Sequence, residues 1–510
     1  MAKLQINNLT FSYEGSAQNV FEDVSFSVDT SWKLGLIGRN GKGKTTLLNL
    51  LMGKYEYSGK ISCSISFDSF PYSVSEGELN KTAEELSALW KPQVQMWQIL
   101  MQLNQIHMDP ECMYRPFKTL SFGERTRVML AVLFASDDEM LLIDEPTNHL
   151  DTDARKAVKD YLASKKGFIL VSHDRDLLDA VVDHVLVLNR NSIEVQAGNF
   201  SSWQENKEKS DAFAQAENEK HIKEIGKLKT AADRSSRWAI KNENTKIGFD
   251  PLKEPERNIS TRSYIGAKTK KMQARVKSYE KRIDREIEEK EGLLKDIERI
   301  VDLKVNPLSY HKEVLVEAKE LSIGYNSDAP LFTDLTFRIK EGDRIFLSGS
   351  NGCGKTSIIK AILERAGGCR AGEKAQGLNV TGELNVSGGL KISYINQDTS
   401  FLKGTLKEYA KCEDLDESLF LAVLRNLDLE REQFTKDMLE FSEGQKKKVL
   451  IAKSLITPAH LYIWDEPLNY IDVFSRMQIE KLILKYKPTM LLVEHDIRFR
   501  ENISTSVICL

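Results

Sequence analysis

No stretch of this chain is both long and apolar. Runs such as Met140 to Ile143 and Phe168 to Val171 fall far short of the roughly 18 residues needed to cross a bilayer, and the N-terminus lacks a signal-peptide pattern. A soluble, cytosolic protein is expected. Six cysteines (63, 112, 353, 369, 412 and 509) show no C-x-x-C spacing, so neither a disulfide framework nor a zinc site is suggested. Histidine is scarce, eight in 510 residues, which makes the position of each informative. The net charge of −3 points to no partner by itself. With 41% apolar residues there is material for two packed cores, and the length fits two to four domains.

What is present is a repeat. Gly38-Arg39-Asn40-Gly41-Lys42-Gly43-Lys44-Thr45-Thr46 and Gly349-Ser350-Asn351-Gly352-Cys353-Gly354-Lys355-Thr356-Ser357 both fit G-x-x-x-x-G-K-[ST]. Each follows an apolar run (Leu34 to Ile37, Ile345 to Leu347) and precedes a helical pattern (Leu47, Leu48, Leu51; Ile358, Ile359, Ile362). In that strand-loop-helix setting the glycines turn backbone N–H groups onto a triphosphate and the lysine reaches its terminal phosphates. The hydroxyl of Thr45 or Thr356 is placed for Mg²⁺.

The same motifs follow in each half. Apolar strands end in Asp144-Glu145-Pro146 and Asp465-Glu466-Pro467, where the aspartate suits a Mg²⁺ water and the glutamate can polarise the water that attacks the γ-phosphate. Second apolar strands end in Ser172-His173-Asp174 and Glu494-His495-Asp496, and a neutral imidazole there can sense the γ-phosphate. Upstream lie small-residue turns opening helices, Ser121-Phe122-Gly123 and Ser442-Glu443-Gly444, which are either anion sites or ordinary caps.

Together these residues resemble the nucleotide-binding domains of the ATP-binding-cassette (ABC) family over both halves. The resemblance implies an α/β fold with two tandem P-loop ATPase domains, about 1–202 (with a short helical insertion near 73–118) and 306–510. It implies a head-to-tail sandwich with two ATP sites, pairing Lys44, Glu145 and His173 with Ser442, and Lys355, Glu466 and His495 with Ser121. Tyr13 and Tyr325 match the family's adenine-stacking aromatic, or else pack in a strand core. Asp151 and Asp472 match its D-loop aspartate. Two departures stand out: Phe122 replaces a usual glycine, and the metal-side glutamine, Gln397 in the second half, has Tyr72 as its counterpart in the first. A phenol offers no amide carbonyl to Mg²⁺, so unequal sites are expected.

Residues 203–305 carry no nucleotide motif and read as an antiparallel helical hairpin. The second arm places Met272, Val276, Tyr279, Ile283, Ile287, Leu294, Ile297 and Ile300 on a coiled-coil seam, and the first carries Phe213, Ile222, Ile225, Leu228, Ala232 and Trp238 on a weaker stripe. Gly248, Pro251, Pro255 and Gly266 break the helix at a tip near 239–266. Arms of roughly 38 residues would reach about 55 to 60 Å. From Arg257 to Arg282 nine residues are basic (Arg257, Arg262, Lys268, Lys270, Lys271, Arg275, Lys277, Lys281 and Arg282) against one acid, Glu280. With Trp238, Phe249 and Tyr264 interleaved, this end suits RNA, where cations meet phosphates and planar groups stack on bases.

The arrangement resembles the ABC-F group, and Asp144-Glu145-Pro146-Thr147-Asn148-His149-Leu150-Asp151 is characteristic of it. The long tip and Trp464-Asp465-Glu466-Pro467-Leu468-Asn469-Tyr470 are similar to its antibiotic-resistance branch, closest to Lsa-type proteins. That resemblance implies a monomeric ATPase using ATP and Mg²⁺. Its hairpin would enter the tRNA exit site of the 70S ribosome, meeting 23S rRNA and P-site tRNA, and dislodge lincosamides, streptogramin A compounds and pleuromutilins. A housekeeping translation factor of the same group is the nearest rival, favoured by a short hairpin. A transporter motor needs no basic hairpin, and in a chromosome-maintenance ATPase the coiled coil interrupts one cassette.

Overall fold

The computed structural model describes residues 3–14, 19–136, 139–148, 150–188, 193–247, 306–325, 330–367 and 377–510, with single positions between 274 and 285. Two compact units emerge, Met1–Trp203 with Val301–Leu510, and Gln204–Ile300. The first unit holds both cassettes, each built on a largely parallel sheet.

In the first cassette the strand order is Ser66–Phe70, Glu139–Asp144, Phe168–Val171, Lys33–Gly38, His184–Leu188 and Ile193–Ala197, the last pair antiparallel and the rest parallel. In the second it is Ile392–Ile395, Leu461–Asp465, Met490–Val493, Arg344–Ser348 and Ser506–Cys509, all parallel. Each cassette adds a three-stranded antiparallel sheet, centred on Lys3–Phe11 and Val314–Tyr325 respectively. Central strands are apolar throughout because both faces are covered. Phe168 and Leu170 pack into one core of the first cassette while Ile169 and Val171 pack into the other, and Tyr462 and Trp464 are divided from Leu461 and Ile463 in the same way.

This layering sets the chemistry. In both sheets the strand before the phosphate loop lies two places from the strand that ends in the paired acids, with the strand leading to the histidine between them. All three open their loops at the same carboxyl edge, where parallel sheets carry their ligands.

A helical insertion, Ala83–Trp90 and Met96–Gln105, packs against the helix Phe122–Leu133. The helix Phe200–Ile247 begins with Phe200 and Trp203 buried in the first cassette's core and continues for 48 residues, about 70 Å at 1.5 Å each. It therefore runs past the expected start of the tip near 239. The residues from Lys227 to Ile247 include neither glycine nor proline, so nothing in them breaks the helix. Trp238 lies on this helix, and Lys277 is helical and exposed. Arg257, Arg262, Tyr264, Lys268, Lys270, Lys271 and Arg275 lie outside the described residues, as does most of the second arm. Among the described residues no helix is long and apolar enough to cross a membrane.

Candidate active sites

Each phosphate loop closes on its own lysine. Lys44 Nζ donates to the carbonyls of Gly38 at 2.7 Å and Arg39 at 3.2 Å and to Asn40 Oδ1 at 3.3 Å, while Lys355 Nζ donates to Gly349 at 2.7 Å and Ser350 at 2.9 Å. Both lysines are buried at the first turn of a helix, Lys44–Leu51 or Lys355–Arg365. Gly43 and Gly354 precede these helices with φ of 88° and 106°, and a Cβ on Gly43 would lie 2.7 Å from Val20. Only glycine meets both demands. The burial that lowers the Lys44 pKa is offset in part by Asp472, Glu145 and Asp144.

The paired acids stand beside these loops. Thr45 Oγ1 donates to Asp144 Oδ2 at 2.9 Å, and Thr356 Oγ1 to Asp465 Oδ2 at 2.9 Å. Asp465 is fully buried with Oδ1 lacking a hydrogen-bond partner, and burial first, then Glu466, pushes its pKa up to about 6 against the pull of Thr356. A buried carboxylate with a spare oxygen beside a threonine hydroxyl is a donor set suited to a hard divalent cation.

Glu145 and Glu466 follow with φ of 51° and 47°, a left-handed turn that aims each side chain back over the sheet edge. Their surroundings differ. Burial and then Asp144 raise the Glu145 pKa to about 8; its Oε2 accepts the His173 backbone N–H at 3.3 Å, and its Oε1 has no hydrogen-bond partner. Glu466 Oε2 accepts from Gln397 at 2.9 Å and from Asn469 at 2.8 Å. Burial alone would raise Glu466, but His495, Lys355 and Lys447 together hold it below the ordinary value. His173 Nε2 lies 3.4 Å from Glu145 Oε1, and His495 Nε2 lies 3.7 Å from Glu466 Oε1. Burial, then Lys44 and Arg476, drives the His173 pKa far down, so its imidazole is neutral.

Tyr72 does not take the place of Gln397. Its hydroxyl donates to Asp68 Oδ2 at 2.6 Å and its ring stacks on Trp90 at 4.7 Å, so it serves the packing of the insertion. The two aromatics proposed for adenine also part company with a buried-core role. Tyr13 is 42% exposed with its hydroxyl 2.7 Å from Thr46 Oγ1, and Tyr325 lies 3.0 Å from Ser357 Oγ.

Each site borrows from the opposite cassette. At the first, Asn40 Nδ2 donates to Tyr470 O at 2.8 Å, Arg39 pairs with Asp428 at 3.1 Å, and Lys42 pairs with Glu430 at 3.4 Å. Gly444 is so close that a Cβ there would stand 3.3 Å from Asn40 Nδ2. At the second, a cavity of about 440 Å³ is lined by Lys355, Thr356, Gln397, Glu466 and His495 together with Phe122 and Arg155 from the first cassette. Ser121 and Ser442 both form capping boxes, with Glu124 and Gln445, at the starts of Phe122–Leu133 and Glu443–Ile456. Gly123 sits in the first of these turns, 3.4 Å in Cβ reach from Ala154.

The model of one family, described as ABC transporter, matches residues 21–148 and 332–469, more than half of the chain. The chain belongs to the ABC transporter family. It is an ATPase of that family's F type, with both cassettes in one polypeptide. It is 27% identical to the ribosome protection protein VmlR of Bacillus subtilis (strain 168) over 97% of its own length and 84% of that protein. It is 25% identical to ABC transporter F family member 2 of Arabidopsis thaliana, covering 99% of this chain and 76% of that one. Among solved structures, the archaeal ribosome recycling factor aABCE1, in complex with the stalk protein aP1, superposes with a TM-score of 0.60 at 18% identity, covering 98% of this chain and 87% of that one. The last comparison establishes the tandem fold.

Sequence reasoning overlooked Asn469, which steadies Glu466, and the pair Arg155 and Arg476. Arg155 Nε donates to Leu150 O at 3.0 Å and pairs with Asp174 at 3.3 Å; Arg476 Nε donates to Ile471 O at 2.9 Å and pairs with Asp496 at 3.1 Å. Both stand four residues after the D-loop aspartates, a recurrence that an alignment of the two halves would have exposed.

Proposed function

We propose that this ATPase is a ribosome-protection protein. ATP closes the two cassettes, the hairpin enters the tRNA exit site of the 70S ribosome, and lincosamides, streptogramin A compounds and pleuromutilins are displaced from the peptidyl-transferase centre before hydrolysis releases the protein. The observation that carries this reading is the similarity to VmlR across nearly the whole chain, hairpin included. The basic stretch Arg257 to Arg282 supports contact with 23S rRNA and P-site tRNA. A monomer working in the cytoplasm suffices, since both halves of each site are in one chain.

In the chemistry, Glu145 and Glu466 act as general bases, His173 and His495 as sensors of the γ-phosphate, and the two phosphate loops with Ser442 or Ser121 as its cradle. Mg²⁺ would be held by Thr356, Asp465 and Gln397, and by Thr45 and Asp144, neutralising phosphate charge. Tyr13 and Tyr325 would lie against adenine.

The test compares drug susceptibility of a sensitive bacterium with and without the chain, alongside drug efflux. Protection without increased efflux is expected, and it should vanish in Glu145→Gln/Glu466→Gln, which should bind ATP but lose on the order of 10² to 10⁴-fold in hydrolysis. Protection accompanied by efflux would overturn the reading. No protection at all would favour a housekeeping translation factor.

A further inference from the structure

One charged side chain crosses between the cassettes in the interior without belonging to either phosphate site. Arg175, two residues after His173 and 5% exposed, places Nη2 2.9 Å from Glu480 Oε2 and 3.9 Å from Asp496 Oδ1 of the second cassette. Asp496 follows His495 directly, so the arginine next to one histidine loop stands within electrostatic reach of the carboxylate next to the other while it pairs closely with Glu480.

Asp496 is in turn tied to the first site. Its Oδ2 accepts from Arg476 Nη1 at 3.1 Å, and Arg476 donates to the carbonyls of Ile471 and Leu468 at 2.9 Å each, fixing the D-loop. That loop presents Tyr470 O to Asn40 in the first phosphate loop. A continuous polar path thus runs from Asn40 through Tyr470, Arg476 and Asp496 to Arg175 and back to the loop of His173. Burial would raise the Asp496 carboxyl, but Arg476 and Arg175 keep it below its ordinary value, as expected of an ionised bridge.

The path has no mirror image. Arg155 and Asp174 repeat Arg476 and Asp496, but the counterpart of Arg175 is Ile497 and the counterpart of Glu480 is Lys159, which pairs within its own cassette with Asp176 at 2.7 Å. The charges at both ends of that bridge are replaced, and the reverse crossing is made by a different, more exposed residue, Arg498, which pairs with Asp179 of the first cassette.

We propose that Arg175 is a positioning residue that couples the two ATP sites, holding the His495 loop in register with the state of the first phosphate loop. The proposal rests on the assignment of Glu145 and Glu466 as bases. Coupling of this kind needs two sites and a contact that differs between their states, and a buried ion bridge between the helix Arg175–Val181 of one cassette and Val473–Tyr486 of the other is placed to be that contact.

The experiment is a double-mutant cycle on ATP turnover by the full chain. If the sites are coupled, Glu145→Gln locks the first site and also slows the second, cutting turnover at least fivefold. With Arg175→Met added, the second site should run independently and Glu145→Gln should cost no more than about twofold, while Arg175→Lys should restore most of the coupling. Because a lone Arg175→Met leaves Glu480 buried and unpaired, Arg175→Met/Glu480→Met removes both ends and guards against misfolding. The same factor for Glu145→Gln in the parent and Arg175→Met chains overturns the bridge. If neither Glu145→Gln nor Glu466→Gln lowers turnover in the parent, the base assignment itself fails, and the bridge with it.

Discussion

At the scale of residues, two glutamates in matching sequence positions sit in unlike environments. Glu145, with His173 beside Oε1 but no amide side chain donating to it, is pushed up to about 8 by burial and Asp144, whereas Glu466, with Gln397 and Asn469 donating to it and His495 beside it, is held below its ordinary value. A base must be ionised to accept a proton, and at pH 7 a group of pKa 8 is only about one-tenth ionised. The first site should therefore be the slower one at neutral pH and gain as pH rises through about 8, while the second is already ionised. In kcat/KM profiles, Glu466→Gln, which leaves the first site, should climb roughly 25-fold between pH 6.5 and 8.5, and Glu145→Gln should be nearly flat. Equal losses from the two variants at pH 7, or parallel profiles, would remove the asymmetry. The sequence revealed half of this. Replacement of the glutamine by Tyr72 was visible in the repeat, but the fate of the phenol, bonded to Asp68 and stacked on Trp90, depends on an insertion whose packing no motif encodes.

At the scale of elements, the insertion is anchored by one buried cation. Lys91, 2% exposed at the end of the helix Ala83–Trp90, places Nζ 2.6 Å from Glu139 and 2.9 Å from Asp68, and donates to Leu133 O at 2.9 Å. It thereby joins two parallel strands, Ser66–Phe70 and Glu139–Asp144, to the helix Phe122–Leu133. Removing one partner of a buried pair leaves the others uncompensated, so Lys91→Met should destabilise the fold by about 3–5 kcal/mol. Denaturant melts would show a lowered midpoint, and an unchanged midpoint would mean that the carboxylates are already solvated. The strands and phosphate loops were legible because apolar runs and glycine spacing are local. The helix Phe200–Ile247 was legible as helix but not in its extent, since its polar distal turns carry no stripe strong enough to mark an end before Gly248. Nor could spacing show that Val473, just past the second D-loop aspartate, joins the core of the first cassette.

At the scale of the whole molecule, the proposed function requires the two ATP sites to act on the ribosome through the basic stretch Arg257 to Arg282. Phosphate contacts release counterions, so exchanging Lys268, Lys270, Lys271 and Arg275 for Glu should weaken ribosome association and flatten its dependence on salt. Unchanged, salt-sensitive binding in a co-sedimentation assay would place the contact elsewhere.

On the proposed function, binding and protection are separable demands on the segment between the cassettes. The helix is continuous to Ile247, and the sequence beyond it carries Gly248, Pro251 and Pro255, of which proline fixes φ and cannot donate a backbone hydrogen bond. The proposed action is displacement of nucleotides and tRNA around a drug rather than filling of the drug's own site. Excising Gly248 to Asn258 leaves the basic residues from Arg262 onward, both cassettes and the whole described helix in place. Folding, basal ATP hydrolysis and salt-sensitive ribosome binding should survive, while protection against lincosamides and pleuromutilins is lost. Retained protection in a chain that still binds ribosomes would show that the tip is not the effector, and would favour an action on tRNA position by the arms alone.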